Sequence, residues 1–216
     1  MTPDQVWAVI VARTGPTAKQ RLADVLSGPQ RAALALRMLE SVLRACAQAG
    51  LAGTVVVTDS ERGFLRARAA GALALPDPAA GLNAAVALGL DMVAQQGPGT
   101  AALVLPGDVA LAQSADLLAV VEAADDHPRV VVVVPDAAGR GTNALFLRPP
   151  QLIAPSFGEP SCERHLAAGR RRGEAIRLEL PRLAIDIDDE ARLDQWQLSA
   201  GAGVIPSAAR DLRSRP

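Results

Sequence analysis

Short apolar runs rich in β-branched residues alternate along this chain with longer stretches of helical spacing. The runs occupy residues 6–12, 54–58, 72–75, 101–105, 130–134, 143–147 and 183–188. Runs that are apolar at consecutive positions are typical of strands buried on both faces, because a half-exposed strand would alternate apolar and polar residues. Buried strands separated by helices predict an α/β fold with a mostly parallel central sheet and helices on both faces.

The length of the chain is consistent with one domain. It has 216 residues, of which 50% are hydrophobic, so a sizeable core can be buried. We expect this single domain to cover residues 1–198. Residues 199–216 are mostly Ala, Gly, Ser, Pro and Arg, so we expect a disordered tail there.

The composition excludes several classes of function. A net charge of −1 argues against a partner held by bulk charge, such as a nucleic acid or a membrane surface. Aromatic residues make up only 2% of the chain, too few for stacking on single-stranded nucleic acid. No apolar run approaches the roughly 18 residues that would span a bilayer. Cys46 and Cys162 are far apart and lack zinc spacing, so we expect a reduced, cytoplasmic protein.

A basic loop follows the first predicted strand. Arg13, Lys19 and Arg21 lie within nine residues of one another, and Lys19 is the only lysine in the chain. In parallel sheets, ligands bind at loops that leave the carboxyl ends of strands. Arginine offers forked donors and lysine a point charge, so this loop suits a polyphosphate, although it has neither a Walker A nor a GxGxxG motif. The alternative is a solvated surface loop.

Carboxylates follow two other predicted strands. Asp108 comes directly after the strand at 101–105, and Asp186 and Asp188 lie two apart on the predicted strand at 183–188. Residues two apart on a strand share one face. Mg²⁺ prefers one or two carboxylates, with phosphate oxygens completing its shell. Each Asp alone could simply cap a helix. Together with the basic loop, they indicate a metal–nucleotide site.

Two glycine-containing stretches, at 139–143 and 156–161, suggest a second anionic ligand. The first presents backbone N–H groups and the Thr142 hydroxyl, and the second opens a predicted helix whose N-terminus can bind an anion. An ordinary hairpin turn and an ordinary helix cap are the alternatives. His165 lies four residues after Ser161 and could face the same ligand, but a structural role is favoured because no relay partner is evident.

These motifs, in this order, resemble a known family. They are AKQRL at 18–22, GLNAA at 81–85, LPGD at 105–108, GTNAL at 141–145, SFG at 156–158 and DID at 186–188. The set resembles the phospholactate/phosphoenolpyruvate guanylyltransferases, which make an early intermediate of the deazaflavin coenzyme F(420). The resemblance covers about residues 6–197 and implies a Rossmann-like nucleotidyltransferase fold of the nucleotide-diphospho-sugar transferase type.

The resemblance also implies roles at the nucleotide and at the metal. It places Lys19 and Arg21 at the triphosphate of GTP. It places Mg²⁺ on Asp108 together with Asp186 or Asp188.

Further positions match the family's binding residues. The resemblance places Gly81 and Asn83 beside the nucleotide, and Arg13 keeps the charge of the lysine with which the family's loop usually begins. It places Thr142, Gly158 and Ser161 at the phosphate and the carboxylate of the acceptor.

The implied reaction moves GMP from GTP to the phosphate of a three-carbon phosphoacid and releases pyrophosphate. The acceptor is 2-phospho-L-lactate, phosphoenolpyruvate or 3-phospho-D-glycerate. No nucleic acid or membrane takes part, and a homodimer is left open. The alternatives are a nucleotidyltransferase acting on a molybdopterin or a sugar phosphate, and a nucleotide-binding module without catalysis.

Overall fold

The computed structural model describes residues 2–125 and 127–187, which form seven strands and five α-helices. The strands are β1 (Val6–Ala12), β2 (Gly53–Thr58), β3 (Leu73–Pro76), β4 (Ala101–Pro106), β5 (Val130–Pro135), β6 (Thr142–Arg148) and β7 (Glu174–Arg177). The helices are α1 (Gly28–Gln48), α2 (Glu61–Ala69), α3 (Leu82–Ala94), α4 (Ser114–Ala123) and α5 (Ser161–Arg170). No helix in the described ranges is long and apolar enough to cross a membrane.

The seven strands form one sheet in the order β3-β2-β1-β4-β6-β5-β7. Strand β6 runs antiparallel to β4 and β5, and all the other neighbours are parallel. Buried side chains of α1, α2 and α4 pack on one face of the sheet, and those of α3 and α5 pack on the other. The predicted α/β class, the mostly parallel sheet and the helices on both faces are confirmed.

The first six predicted strands match β1 to β6 to within one residue at each end. Helix α1 also begins where the sequence predicts. The Ser27 backbone N–H donates to Gln30 Oε1 at 2.8 Å, as in a capping box. Strong local signals of this kind survive folding because the tertiary structure uses the same buried faces.

The predicted strand at 183–188 is wrong. Residues 181–184 form a turn, and residues 185–187 have no regular structure. Leu183 and Ile187 are both fully buried, whereas Ile185 between them is only partly buried, so the alternation required of a strand is absent. Asp186 therefore lies in an irregular segment. Asp188 lies outside the described residues, as do the acidic helix predicted before Trp196 and the tail at 199–216.

The seventh strand is β7, which the sequence analysis missed. It pairs in parallel with β5 at the edge of the sheet. Its residues read EAIR, and only the central two are partly buried. An edge strand needs no continuous apolar run, so the pattern that revealed the central strands is missing here.

Candidate active site

The ends of β1 and β4 meet at one edge of the sheet, because the two strands are parallel neighbours. The Gly107 N–H donates to the Val11 carbonyl oxygen at 2.9 Å. A Cβ on Gly107 would lie 2.6 Å from the Ala12 Cβ, so only glycine allows this close approach. Asp108 follows immediately and is thereby held beside the loop that leaves β1.

The structure brings Lys19 and Asp108 together across 89 positions of sequence. The Lys19 Nζ donates to Asp108 Oδ2 at 2.6 Å, and the two side chains are 7% and 30% exposed. Lys19 has φ 49° and ψ 48°, a left-handed conformation that is unfavourable for a residue with a Cβ. Such backbone strain persists where surrounding contacts enforce it, and it is concentrated at functional sites. Arg13 and Arg21 lie on the same loop and are exposed.

Asp59, at the end of β2, fixes the start of this loop. Its Oδ1 accepts the Thr14 N–H at 2.8 Å and the Gly15 N–H at 3.0 Å. The Thr14 hydroxyl also bonds the hydroxyls of Thr58 and Ser60, at 2.9 Å and 2.7 Å. The sequence analysis missed Asp59. The available signal was a carboxylate directly after a buried strand, the same feature that singled out Asp108.

Arg31 of α1 fixes the far end of the loop. It is 9% exposed, and its guanidinium donates to the Ala18 carbonyl at 3.1 Å and to the Leu26 carbonyl at 2.7 Å. Lys19 is the next residue after Ala18, so its position is set by a buried group on each side. No sequence pattern marks Arg31, because an arginine in a helix is ordinarily exposed.

The segment that carries Asp186 is anchored at two points. Ile187 is fully buried in a cluster that also contains Leu22, three residues beyond Lys19, and Ala110, two residues beyond Asp108. The second anchor is the ion pair between Arg182 and Asp116 of α4. Both anchors hold the Asp186 segment at the edge of the sheet where Lys19 and Asp108 meet.

Removing Asp116 should destabilise the protein. Its side chain is 4% exposed and accepts the Gln113 N–H at 2.9 Å and two guanidinium bonds from Arg182, at 2.8 Å and 2.7 Å. Asp116→Ala should lower the free energy of unfolding by about 2 kcal/mol, the scale of hydrogen bonds to a charged group. Thermal unfolding should show the midpoint falling by about 4–8 °C. Glu122→Ala, an exposed acid on the same helix, is the control and should leave the midpoint nearly unchanged.

The carboxylates at this edge fit a magnesium ion in chemistry and in charge. Mg²⁺ prefers oxygen ligands and needs only one or two carboxylates when phosphates complete its shell. The partly exposed Asp108 carboxylate already attracts a cation, since the Lys19 ammonium lies against it. Within residues 2–125 and 127–187, no cluster of three or more His, Cys, Asp or Glu side chains could hold a metal. Asp108 and Asp186 are the described residues that would bind Mg²⁺.

Thr142 and Ser161, both predicted at the acceptor, lie in contact. The Ser161 hydroxyl donates to Thr142 Oγ1 at 3.0 Å, and both residues are buried. Strand β6 is antiparallel to β4, so β6 begins, at Thr142, on the edge where β4 ends. The two hydroxyls and Asp108 therefore share one edge of the sheet.

A bulge lies at the start of β6. Pro135 and Val134 pair with Thr142 and Ala144, so Asn143 is an extra residue in the ladder. Asn143 is 7% exposed, and its Nδ2 is one of two buried side-chain nitrogens in the described part of the chain that have no hydrogen-bond partner. An unpaired buried donor beside Thr142 leaves this edge able to donate to a bound group.

Gly158 lies in a loop that α5 holds. Its φ of 100° is in a region that favours glycine. The Arg164 guanidinium donates to Ser156 Oγ at 2.8 Å, to the Ser156 carbonyl at 2.9 Å and to the Gly158 carbonyl. The Gly158 loop is thus fixed relative to Ser161, the first residue of the same helix.

Asn83 contacts the Gly158 loop as well. Its Oδ1 accepts the Phe157 N–H at 2.6 Å, and its Nδ2 donates to the Phe157 carbonyl at 3.2 Å. Both ends of the amide are engaged with the acceptor loop, whereas the sequence placed Asn83 beside the nucleotide. Gly81, with φ 91°, precedes α3 and is exposed. The predicted nucleotide contacts of Arg13, Gly81 and Asn83 remain predictions.

His165 is fully buried behind these loops. Its Nδ1 lies 3.1 Å from Thr142 Oγ1, and its Nε2 accepts the Ser156 N–H at 2.9 Å. Burial, and to a lesser extent the Arg164 charge, lowers the pKa of His165 to about 4. The ring is therefore neutral at physiological pH and is not suited to act as a proton-transfer group there.

The sequence matches a known family over most of its length. The family model described as "Guanylyl transferase CofC like" matches residues 7–201. The chain belongs to this family. Membership makes the protein an enzyme of the guanylyltransferase class, and the predicted resemblance is confirmed.

Named relatives cover nearly the same length. A phosphoenolpyruvate guanylyltransferase from Rubrobacter xylanophilus is 40% identical over 205 residues, covering 94% of this chain and 99% of the relative. A 3-phospho-D-glycerate guanylyltransferase from Phenylobacterium zucineum is 39% identical, covering 84% of each chain. A solved nucleotidyl transferase from Methanothermobacter has a TM-score of 0.64 at 16% identity, covering 91% of this chain and 99% of that one. The solved structure supports the predicted nucleotidyltransferase fold.

Proposed function

We propose that this guanylyltransferase moves GMP from GTP to the phosphate of a small three-carbon phosphoacid, as a step in coenzyme F(420) biosynthesis. The names of the relatives support a phosphorylated three-carbon acceptor. The observation that carries the proposal is the Lys19–Asp108 pair on the sheet edge where the Thr142 and Ser161 hydroxyls also lie. One edge thus offers a cationic and metal-binding part for a triphosphate and a separate donor part for a second anion. We expect the reaction in the cytoplasm.

In the proposed reaction, a phosphate oxygen of the acceptor attacks the α-phosphorus of GTP. A new P–O bond forms as the bond between the α-phosphorus and the bridging oxygen breaks, and pyrophosphate leaves with that electron pair. The acceptor phosphate is largely ionised at neutral pH, so no general base is required. This agrees with the neutral, fully buried state of His165.

Charge is the main barrier, because both reactants are anions. Lys19 and Arg21 would offset their repulsion and stabilise the charge that develops on the leaving pyrophosphate. Asp108 and Asp186 would hold Mg²⁺, which supplies further positive charge at the phosphates when bound. Thr142 and Ser161 would orient the acceptor for in-line attack.

Pyrophosphate release from GTP and Mg²⁺ tests the proposal directly. The panel contains 2-phospho-L-lactate, phosphoenolpyruvate, 3-phospho-D-glycerate and, as a comparison, a sugar phosphate that lacks a carboxylate. Release with a three-carbon phosphoacid supports the proposal and identifies the acceptor. Release only with a sugar phosphate or a molybdopterin indicates another branch of nucleotidyltransferases. Binding of GTP without turnover with any acceptor indicates a nucleotide-binding module.

Ser161→Ala should raise the KM for the phosphoacid about tenfold and change the KM for GTP less than twofold. The reason is that Ser161 belongs to the acceptor part of the edge, and loss of a hydrogen bond to a charged group costs about 1.5–3 kcal/mol. Saturation kinetics with each substrate varied separately measure the two constants. Ser156→Ala is a matched serine control, because the Ser156 hydroxyl bonds Arg164 rather than Thr142. An effect of Ser161→Ala confined to GTP would place Ser161 in the nucleotide site.

A further inference from the structure

The two nitrogens of the His165 ring have fixed roles. The Ser156 backbone N–H can only donate, so Nε2, which lies 2.9 Å away, must be the unprotonated nitrogen. In a neutral imidazole the other nitrogen carries the proton. The Nδ1–H of His165 therefore donates to Thr142 Oγ1 across 3.1 Å.

This assignment determines how the Thr142 hydroxyl points. Its oxygen also accepts the Ser161 hydroxyl at 3.0 Å, so both lone pairs of Thr142 Oγ1 are occupied. The hydroxyl proton of Thr142 is then directed away from His165 and Ser161. A hydroxyl is otherwise free to rotate and can present a lone pair as readily as a proton. Here it is restricted to donating.

We propose that His165 is a positioning residue that keeps the Thr142 hydroxyl as a hydrogen-bond donor toward the anionic groups of the acceptor. The inference rests on the proposed function, because it assumes that Thr142 faces the phosphoacid. A donor-only hydroxyl attracts a phosphate or carboxylate oxygen and never presents a lone pair to it. A preorganised donor of this kind also costs no reorganisation when the substrate binds.

A purely structural role for His165 is the competing explanation, and the ring does hold other groups in place. It is fully buried, it packs edge-on against Phe157 at 5.0 Å between ring centroids, and it ties down the Ser156 loop. The test must therefore separate the bond to Thr142 from the bond to Ser156. Asparagine and glutamine do this, because the Asn amide nitrogen can replace Nδ1, whereas the Gln amide oxygen can replace Nε2.

The experiment compares H165N, which can still donate to Thr142, with H165Q, which can still accept from Ser156. We expect H165Q to raise the KM for the phosphoacid about tenfold, with the KM for GTP changed less than twofold. We expect H165N to raise the phosphoacid KM by less than threefold. Equal effects of the two variants, the reverse order, or parallel changes in both KM values would overturn the inference.

A double-mutant cycle with T142V tests whether His165 acts through Thr142. In the T142V background there is no hydroxyl to orient, so H165Q should raise the phosphoacid KM by less than twofold. A further tenfold rise there would contradict the inference. Calorimetric binding of the phosphoacid and the thermal midpoint are measured for each variant. If H165Q does not fold, H165N must bind the phosphoacid more tightly than T142V does, and equal binding overturns the inference.

The proposed function and this inference fail in different ways. If the wild-type enzyme releases no pyrophosphate with any three-carbon phosphoacid, the proposed function is wrong and the inference falls with it. If the wild-type enzyme turns over and the variants rank differently from the order given above, only the role of His165 is wrong.

Discussion

Asp108→Asn should reduce kcat by about 10²–10³-fold, the usual cost of removing one strong electrostatic contact at a reaction centre. The substitution removes the negative charge beside Lys19 and the carboxylate that would hold Mg²⁺. Pyrophosphate release at saturating GTP and phosphoacid measures the effect. An amide oxygen can still accept a hydrogen bond from Lys19, so the thermal midpoint should fall by less than about 4 °C, which corresponds to about 1 kcal/mol.

The control for Asp108 is an acid near the basic loop that the structure does not place at the strand ends. Asp24 lies two residues beyond Leu22 and is exposed. Asp24→Asn should leave kcat within a factor of two of the wild type. Near-normal turnover of Asp108→Asn with Mg²⁺ would remove Asp108 from the mechanism, whatever the behaviour of the control.

Six of the seven strands could be predicted because their burial is written locally in the sequence. A strand such as β5, with five consecutive valines buried on both faces, has no other stable environment. Strand β7 and the segment at 183–187 could not be predicted, because their structure depends on neighbours. The pattern LAIDI satisfies a strand on paper, yet Arg182 and Ile187 are held by α4 and by the cluster around Leu22.

The candidate site divides in the same way. Charged residues at strand ends, such as Lys19 and Asp108, could be predicted because the topology brings strand ends together. The groups that hold them could not, since nothing in an isolated helix distinguishes Arg31 from any exposed arginine. His165 was correctly expected to have a structural surrounding. Its proton assignment needed the positions of Ser156 and Thr142, which come from separate loops.

Lys19→Ala should lower kcat/KM for GTP by at least about 10²-fold, which corresponds to about 2.7 kcal/mol of lost transition-state stabilisation. The Lys19 side chain is 7% exposed, and a nearly buried ammonium acts through a lower effective dielectric than an exposed one. Its field on a bound triphosphate is therefore poorly screened. Arg62→Ala, which removes an exposed charge on α2, should change kcat/KM less than twofold.

The comparison of Lys19 with Arg62 separates specific contact from general field. A loop that only raised the local concentration of an anion would lose similar activity from either substitution, and both losses would fade with added salt. A specific contact predicts a large loss at Lys19 that persists at high ionic strength. Lys19→Arg adds a further arm, because a guanidinium has a different shape and must fit a position enclosed by Asp59 and Arg31 bonds on the same loop. We expect Lys19→Arg to recover less than a tenth of wild-type kcat/KM, since the left-handed backbone and the 2.6 Å contact with Asp108 suit a compact ammonium.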